Sequence, residues 1–138
     1  MKHIPVSSIM TKKIVAITLT EDLERAELLF KRHKIRHIPV VSNEVIVGML
    51  SYTDLMRISI AETDDEAGNT IDSIVFNTFK IEQVMAKSVV TVSSETSIKE
   101  AAKILAKNEF HALPVVDNGE LVGIITTTDL LNYLVNEI

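Results

Sequence analysis

Two short strings of hydroxyl and carboxyl side chains are the residues of this sequence best suited to hold a polar ligand. They are Ser51-x-x-Asp54 and Thr126-x-x-Asp129, and each follows an apolar run that contains a glycine. At the start of a helix, a carboxylate can accept hydrogen bonds from two adjacent ligand hydroxyls, while a side-chain hydroxyl and free amides can serve an anion. The same spacing is typical of a helix cap, so a purely structural role stays open for both strings.

Basic side chains crowd the region before Pro39: Lys31, Arg32, His33, Lys34, Arg36 and His37. Cations at the C-terminal end of a helix complement its dipole, and this stabilising role explains most of them. The i, i+4 spacing of His33 and His37 would suit a metal on a helix. We expect the helix to end between them, at Lys34 or Ile35, and therefore predict no metal site.

The chain carries no recognisable catalytic motif. It has no cysteine, which excludes disulfides, thiolate zinc sites, iron–sulfur clusters and a cysteine nucleophile. It also has no nucleophile–base pair at a recognisable spacing, no Walker A loop and no dinucleotide fingerprint. We therefore predict that the protein is not an enzyme and has no catalytic residues.

The net charge of −5 is a local property of the chain. Five acids and no base fall between residues 61 and 72, and outside that stretch 14 acids balance 14 bases. Without a basic face and with only 4% aromatic residues, the chain is not expected to bind nucleic acid. No apolar run approaches the roughly 20 residues that span a bilayer, and no signal peptide is recognisable. These observations predict a cytoplasmic protein without membrane insertion.

The sequence repeats itself after 75 residues. Residues 6–56 align without a gap on 81–131, and 13 of the 51 pairs are identical. Met10 falls on Met85, Pro39 on Pro114, and Thr53-Asp54-Leu55 on Thr128-Asp129-Leu130. Chance would not bring methionine, proline and a Thr-Asp-Leu string into register together, so the chain contains two copies of one unit.

Each copy predicts the order β-α-β-β-α over about 50 residues. β-Branched runs at 14–17 and 89–92 predict the first strands. Helices follow, with Thr20 expected as the first cap and either Ser97 or Ser94 as the second. Their apolar faces are Leu23, Ala26, Leu29 and Phe30 in one copy, and Ile98, Ala101, Ala102 and Leu105 in the other. Two apolar runs then form a hairpin, whose turn is Ser42-Asn43-Glu44 or Asp117-Asn118-Gly119-Glu120, and a last helix starts near Thr53 or Thr128.

These elements predict an α+β fold with α/β-like character. One copy alone would be marginally stable, and its hairpin strands are apolar throughout. We therefore expect the two β-α-β-β-α repeats to pack sheet to sheet with pseudo-two-fold symmetry. The predicted boundaries are 1–60 for the first repeat, 61–79 for an acidic connector and 80–138 for the second repeat.

The repeated motifs resemble the CBS (cystathionine β-synthase) domain. In the first copy they are Ile9-Met10-Thr11, His37-Ile38-Pro39-Val40-Val41 and the string from Val47-Gly48 to Thr53-Asp54-Leu55; in the second they are Val84-Met85-Ala86, Leu113-Pro114-Val115-Val116 and the string from Gly123 to Thr128-Asp129-Leu130. The resemblance covers nearly the whole chain except the connector and the ends. It implies a tandem pair, or Bateman module, that binds an adenosine-containing ligand and forms a disc-shaped homodimer.

Carried over residue by residue, the resemblance implies a site in each copy. The ribose would bind Asp54 and Asp129, with the hydroxyls of Ser51, Thr53, Thr126 and Thr128 serving ribose or phosphate. The adenine slot would be formed by Ala16, Ile17, Thr18, Ile38 and Pro39 in one copy, and by Thr91, Val92, Ser93, Leu113 and Pro114 in the other. Most of these side chains could equally be core. Phosphates would meet Arg36, His37 and His111, although Ala112 departs from the pattern.

The resemblance thus implies a stand-alone regulatory protein. It would bind AMP, ADP, ATP, NAD or S-adenosylmethionine in the cleft between its repeats and act as an energy or metabolite sensor on an unknown partner. The adenosyl ligand is an effector, and no cofactor is required. We expect the second site to be the better formed, because it has the Asn-Gly turn and the run Thr126-Thr127-Thr128. The alternative is a purely structural dimerisation module with degenerate sites that bind nothing.

Overall fold

The structure is a computed structural model that describes residues 3–62 and 78–138, with the side chains of 59–62 left out. Most of the predicted acidic connector, 61–79, therefore lies outside the described residues. In chain order the elements are a 3-10 helix (Val6–Ser8), β1 (Ile17–Thr18), α1 (Leu23–His33), β2 (His37–Ser42), β3 (Val45–Ser51), α2 (Tyr52–Glu62), α3 (Ile81–Val84), α4 (Ile98–Lys107), β4 (Ala112–Asp117), β5 (Glu120–Thr126) and α5 (Thr127–Glu137).

The two hairpins follow the repeat closely. β2 pairs antiparallel with β3, and β4 with β5, in equivalent registers with an irregularity at Val40/Val41 and at Val115/Val116. Both turns place two central residues at positive φ, Asn43 and Glu44 in one and Asn118 and Gly119 in the other. Turns of this kind match the twist of the flanking strands. The predicted hairpins are present in both copies.

The first strands are shorter than predicted. In the first copy, β1 contains Ile17 and Thr18, which pair parallel with Val40 and Val41. In the second copy, the strand is reduced to one parallel bridge between Val92 and Val115. β-Branched composition predicts extended backbone, but a strand needs partners at ladder distance, and the described residues supply them only at these positions.

The helices begin where side chains can cap them. Asp22, and not the predicted Thr20, caps α1, since its carboxylate accepts a hydrogen bond from the Arg25 amide at 2.8 Å. Ser97 caps α4 by accepting from the Glu100 amide at 3.0 Å, which decides between the two candidate serines. The predicted apolar face of α1 is buried, and so are Ile98, Ala101 and Leu105 of α4, while Ala102 is half-buried.

The chain divides into two compact units whose limits differ from those of the sequence repeats. Residues 1–14 join 89–138 in one unit, which we call the C-unit, and residues 15–88 form the other, the N-unit. In the C-unit, the Val6 amide donates to the Thr96 carbonyl, and Thr11 exchanges two backbone hydrogen bonds with Ile124. In the N-unit, Ala86 makes the equivalent pair with Met49. The segment before each sequence repeat's first strand therefore packs on the hairpin of the other repeat.

Each unit contains a small sheet, helices and a core of its own, which confirms the predicted α+β class. The N-unit core includes Ile17, Leu23, Phe30, Leu50, Leu55 and Ile81, and the C-unit core includes Val6, Ala101, Leu105, Leu113, Val115 and Ile125. Among the described residues, no helix is long and apolar enough to cross a bilayer.

Candidate functional site

Asp129 of the C-unit lies at the first turn of α5 and is held from two directions. Its amide donates to the Thr126 hydroxyl at 3.1 Å, and its Oδ2 accepts from the Thr126 amide at 3.0 Å, which together form a capping box. The Thr11 hydroxyl, from the far end of the chain, donates to Asp129 Oδ1 at 3.2 Å. A carboxylate offers about four lone-pair positions, so this one keeps acceptor capacity for two further hydroxyls.

Asp54 of the N-unit stands at the equivalent place on α2 but has a different partner. Its amide donates to the Ser51 hydroxyl at 3.0 Å, as in a helix cap. Its Oδ1 pairs with Arg57 Nη1 at 2.9 Å. Ala86, which the repeat aligns with Thr11, has no hydroxyl to donate. Both strings therefore cap their helices as the structural alternative expected, and both carboxylates stay only half-buried.

The predicted hydroxyl residues fall into two groups. Ser51 and Thr126 are half-buried and serve as the caps just described, whereas Thr53 and Thr128 are exposed on the first turns of α2 and α5. A hydroxyl that was not predicted, Thr127, donates to the His111 carbonyl at 3.3 Å. The hydroxyls at these helix starts therefore combine fixed caps with exposed groups.

The adenine-slot residues of the N-unit are mostly core. Ile17, Ile38 and Pro39 are buried, while Ala16 and Thr18 are half-buried. The Thr18 amide donates to Glu21 Oε2 at 2.8 Å, so a ligand would have to compete for it. Side chains in a core can still present their edges to a ligand, but burial alone explains these three.

The C-unit shows a similar division. Val92, Leu113 and Pro114 are buried, whereas Thr91 and Ser93 are exposed. The Ser93 amide donates to the Thr96 hydroxyl at 3.1 Å. The exposed pair flanks Val92, and this places polar groups beside the point where Val92 bridges to β4.

Backbone pairing brings the predicted phosphate residues to the helix starts. The Arg36 carbonyl accepts from the Tyr52 amide at 2.8 Å, and the His111 carbonyl accepts from the Thr127 amide at 3.0 Å. Arg36 and His111 are exposed, and half-buried His37 lies opposite Ser51 in the β2–β3 ladder. Each unit therefore has a basic residue next to the turn that carries its aspartate.

The basic end of α1 is organised as a helix terminus. Lys34 adopts φ 54° and ends the helix directly after His33. Among the residues that the structure describes, no three His, Asp or Glu side chains come together as a metal site would require.

Sequence reasoning missed Thr11 and Arg57 as partners of the two aspartates. Arg57 stands three residues after Asp54 on the same helix, a spacing that could have pointed to the ion pair. Thr11 is 118 residues away from Asp129, and no local signal connects them.

The described geometry defines a class of protein: a duplicated α+β chain whose two units each present a helix-capping aspartate next to the same hairpin end. The CBS domain family matches residues 6–61 and 81–136. The chain belongs to the CBS domain family and carries two copies of the domain.

Among curated relatives, the CBS domain-containing protein YhcV of Bacillus subtilis (strain 168) is 29% identical over 133 residues, covering 96% of this chain and 87% of YhcV. A homoserine O-acetyltransferase of Methanococcus vannielii is 36% identical over 131 residues. The match covers 94% of this chain but only 24% of that enzyme. The similarity therefore concerns a small part of an enzyme that is about four times longer.

Solved structures have the same fold. The protein named AcuB from Vibrio cholerae superimposes with a TM-score of 0.82 at 28% identity, covering 99% of this chain and 93% of that one. CBSX2 in complex with AMP gives 0.79 at 24% identity, covering 96% and 97%. The CBS domain pair of MJ0100 from Methanocaldococcus jannaschii, in complex with 5′-methylthioadenosine and S-adenosyl-L-methionine, gives 0.83 at 22%, covering 99% and 100%. The last two likenesses, below 25% identity, concern the fold.

Proposed function

We propose that this chain is a regulatory module that binds an adenosine-containing ligand, with Asp54 and Asp129 accepting the ribose hydroxyls. Candidate ligands are AMP, ADP, ATP, NAD and S-adenosylmethionine. The ligand acts as an effector on a partner protein, and the chain itself performs no catalysis. A homodimer and a cytoplasmic location belong to the same proposal.

One observation carries the proposal: each unit has a half-buried carboxylate at a helix start that is not saturated by its protein partners. A hydrogen bond to a charged group is worth about 1.5–3 kcal/mol, so a diol on such a carboxylate supplies much of the affinity of a small ligand. CBSX2 carries AMP, and the MJ0100 pair carries two other adenosine derivatives. Those ligands make adenosine compounds the first class to test.

The remaining site residues have roles that follow from their positions. Arg36, His37 and His111 lie beside the helix starts and would meet ligand phosphates. Thr53 and Thr128 would add hydroxyl contacts to ribose or phosphate. The adenine would lie against the edges of the Ile38-Pro39 and Leu113-Pro114 strands, near the residues around Ile17 and Val92. A sensor response requires that the ligand bind two states of the protein with different affinities.

Isothermal titration calorimetry with the five candidate ligands tests the proposal. We expect saturable binding by at least one ligand and a loss of about ten-fold or more in affinity on Asp54→Ala or Asp129→Ala. Asp54→Asn and Asp129→Asn keep an oxygen acceptor but remove the charge, and so separate ligand contact from helix capping. Glu24→Ala, which removes an exposed acid of α1, should bind as the wild type does.

The C-unit site is proposed to be the better formed, because its turn has Gly119 at positive φ and Thr11 orients Asp129. Asp129→Ala should then cost more affinity than Asp54→Ala. If Asp129→Ala binds as tightly as the wild type while Asp54→Ala does not, this ranking is wrong.

The capping hydrogen bonds of both aspartates favour a second candidate, a dimerisation module whose sites bind nothing. Calorimetric titrations without heat across the whole ligand panel, together with a dimer in light scattering, would establish that function instead. Under it, the aspartate variants would change only the stability of the helices.

A further inference from the structure

The two equivalent carboxylates are held by chemically different groups. Asp54 Oδ1 is bound by the Arg57 guanidinium at 2.9 Å, and Asp129 Oδ1 by the neutral Thr11 hydroxyl at 3.2 Å. The 75-residue repeat places Asn132 at the position of Arg57 and Ala86 at the position of Thr11. Neither partner of one aspartate is therefore present around the other.

The Arg57 ion pair occupies an oxygen that a ribose diol would need. The Arg57 side chain is 70% exposed, so it can leave Asp54 without disturbing the core. An exposed pair of this kind contributes little stability, and displacing it costs a ligand only a few-fold in affinity. The displaced guanidinium is then an unpaired cation within one helical turn of the bound ribose.

The fixed charges around the two sites reinforce this difference. Arg36 and Arg57 give the N-unit site two permanent cations, whereas His111 and Asn132 stand at the matching positions of the C-unit. With one aspartate each and histidine counted as neutral, these residues sum to +1 at the N-unit site and −1 at the C-unit site. Guanidinium groups bind phosphate oxygens well, often through two hydrogen bonds.

We propose that Arg57 determines ligand specificity at the N-unit site by moving from Asp54 to a ligand phosphate when the ribose binds. This inference rests on the proposed function. A phosphorylated adenosine compensates for the broken ion pair, and an unphosphorylated one does not. The N-unit site therefore selects adenosine polyphosphates, and the C-unit site, with its neutral threonine, accepts adenosine compounds that lack phosphates.

The test compares ATP with adenosine by calorimetry, using the full chain with Asp129→Ala so that only the N-unit site is read. Arg57→Asn installs the residue of the other copy. We expect ATP to bind about ten-fold more weakly and adenosine about three-fold more tightly, because the variant removes a phosphate contact and frees Asp54 at the same time. Arg57→Lys should retain part of the ATP preference. Arg32→Asn, an exposed cation at the end of α1, controls for the loss of one positive charge and should change neither affinity more than two-fold.

The reciprocal variant is Asn132→Arg in an Asp54→Ala background, where only the C-unit site is read. The affinity for ATP relative to adenosine should rise about ten-fold there. Changes of the same sign for both ligands, or an unchanged ratio in both variants, would overturn the inference while leaving the proposed function intact. If the wild type binds neither these two ligands nor any of the five candidates, the proposed function fails and the inference fails with it. Thermal melts of every variant establish that each is folded.

Discussion

At the residue scale, one aspartate in each unit combines two roles that draw on the same lone pairs. As a cap it binds the helix start, and caps of this kind contribute about 1 kcal/mol each. As a ligand group it needs two free acceptor positions, which the capping geometry leaves available. An aspartate at this position therefore aligns a ligand with a helix start that is already rigid.

Asp117, at the end of β4, gives a prediction about pH. Its carboxylate accepts hydrogen bonds from Ser94, mainly through the serine side chain and also from the amide at 3.0 Å, and this lowers the pKa of Asp117 below its ordinary value. A lowered folded-state pKa stabilises the fold above the unfolded-state pKa of about 3.9, and this stabilisation is lost as the pH falls through the folded-state value. We expect the difference in melting temperature between wild type and Asp117→Asn to be constant near pH 7 and to shrink below pH ~4. A difference that grows on acidification would contradict the assignment.

At this scale the sequence supported the aspartates, the hydroxyls and the basic residues as a group, because their types recur at one offset. It could not distinguish which side chains would be core: Ile17, Ile38 and Pro39 satisfy both interpretations, and only their burial shows that packing accounts for them. The partner of Asp129 lay beyond reach because it comes from the other end of the chain.

At the element scale, the two hairpin turns share a backbone conformation but differ in one residue. Gly119 has φ 82° and Glu44 has φ 70°, where a side chain is disfavoured. We expect Glu44→Gly to stabilise the N-unit by about 0.5–1 kcal/mol and Gly119→Glu to destabilise the C-unit by a similar amount. Nothing lies within 4 Å of a Cβ built on Gly119, so the effect there is conformational. Urea denaturation measures both, and a destabilised Glu44→Gly would refute the argument.

The conserved hairpin glycine of each unit makes room for a methionine from a distant segment. A Cβ on Gly48 would collide with the Met85 side chain and approach the Ala86 carbonyl, whereas a Cβ on Gly123 would meet only the flexible Met10 side chain. Overpacking of this kind costs about 1–3 kcal/mol. We expect Gly48→Ala to lie near the upper end of that range and Gly123→Ala near the lower end, as measured by denaturant midpoints. Equal costs would show that the Ala86 backbone yields as readily as a methionine side chain.

Helix positions were predictable because apolar spacing at 3.6 residues per turn survives in the fold, as Leu23, Ala26, Leu29 and Phe30 show. The cap of α1 was not, because Thr20 and Asp22 are both good caps and only the backbone decides which one precedes the first helical turn. Thr20 instead lies 2.9 Å from the Thr18 hydroxyl. Strand length failed for a similar reason, since the extent of a parallel pair depends on its partner.

At the scale of the whole molecule, the segment that begins each sequence repeat belongs to the compact unit of the other copy. Val6 is fully buried in the C-unit core, and Ile81, its equivalent after 75 residues, is fully buried in the N-unit core. We expect Val6→Ala to cost about 2 kcal/mol and Ile81→Ala about 3 kcal/mol, because each leaves a cavity.

Hydrogen exchange locates the two effects. Val6→Ala should weaken amide protection first in β4 and β5, and Ile81→Ala first in β2 and β3. Thr53→Ala, an exposed change on α2, serves as a control for substitution alone. If Val6→Ala acted first on β2 and β3, residues 1–14 would belong with the N-unit after all.

The amino-acid sequence by itself determined the duplication, the α+β order of elements, the hairpins and the two aspartate strings, because these follow from local spacing and from comparison of the chain with itself. Only the tertiary structure decided which segment packs on which hairpin, which serine or aspartate caps a helix, and which group holds each carboxylate. The physical reason is that backbone periodicity is a property of neighbouring residues, whereas the Thr11–Asp129 hydrogen bond and the Met85–Gly48 contact exist only once remote segments share a core.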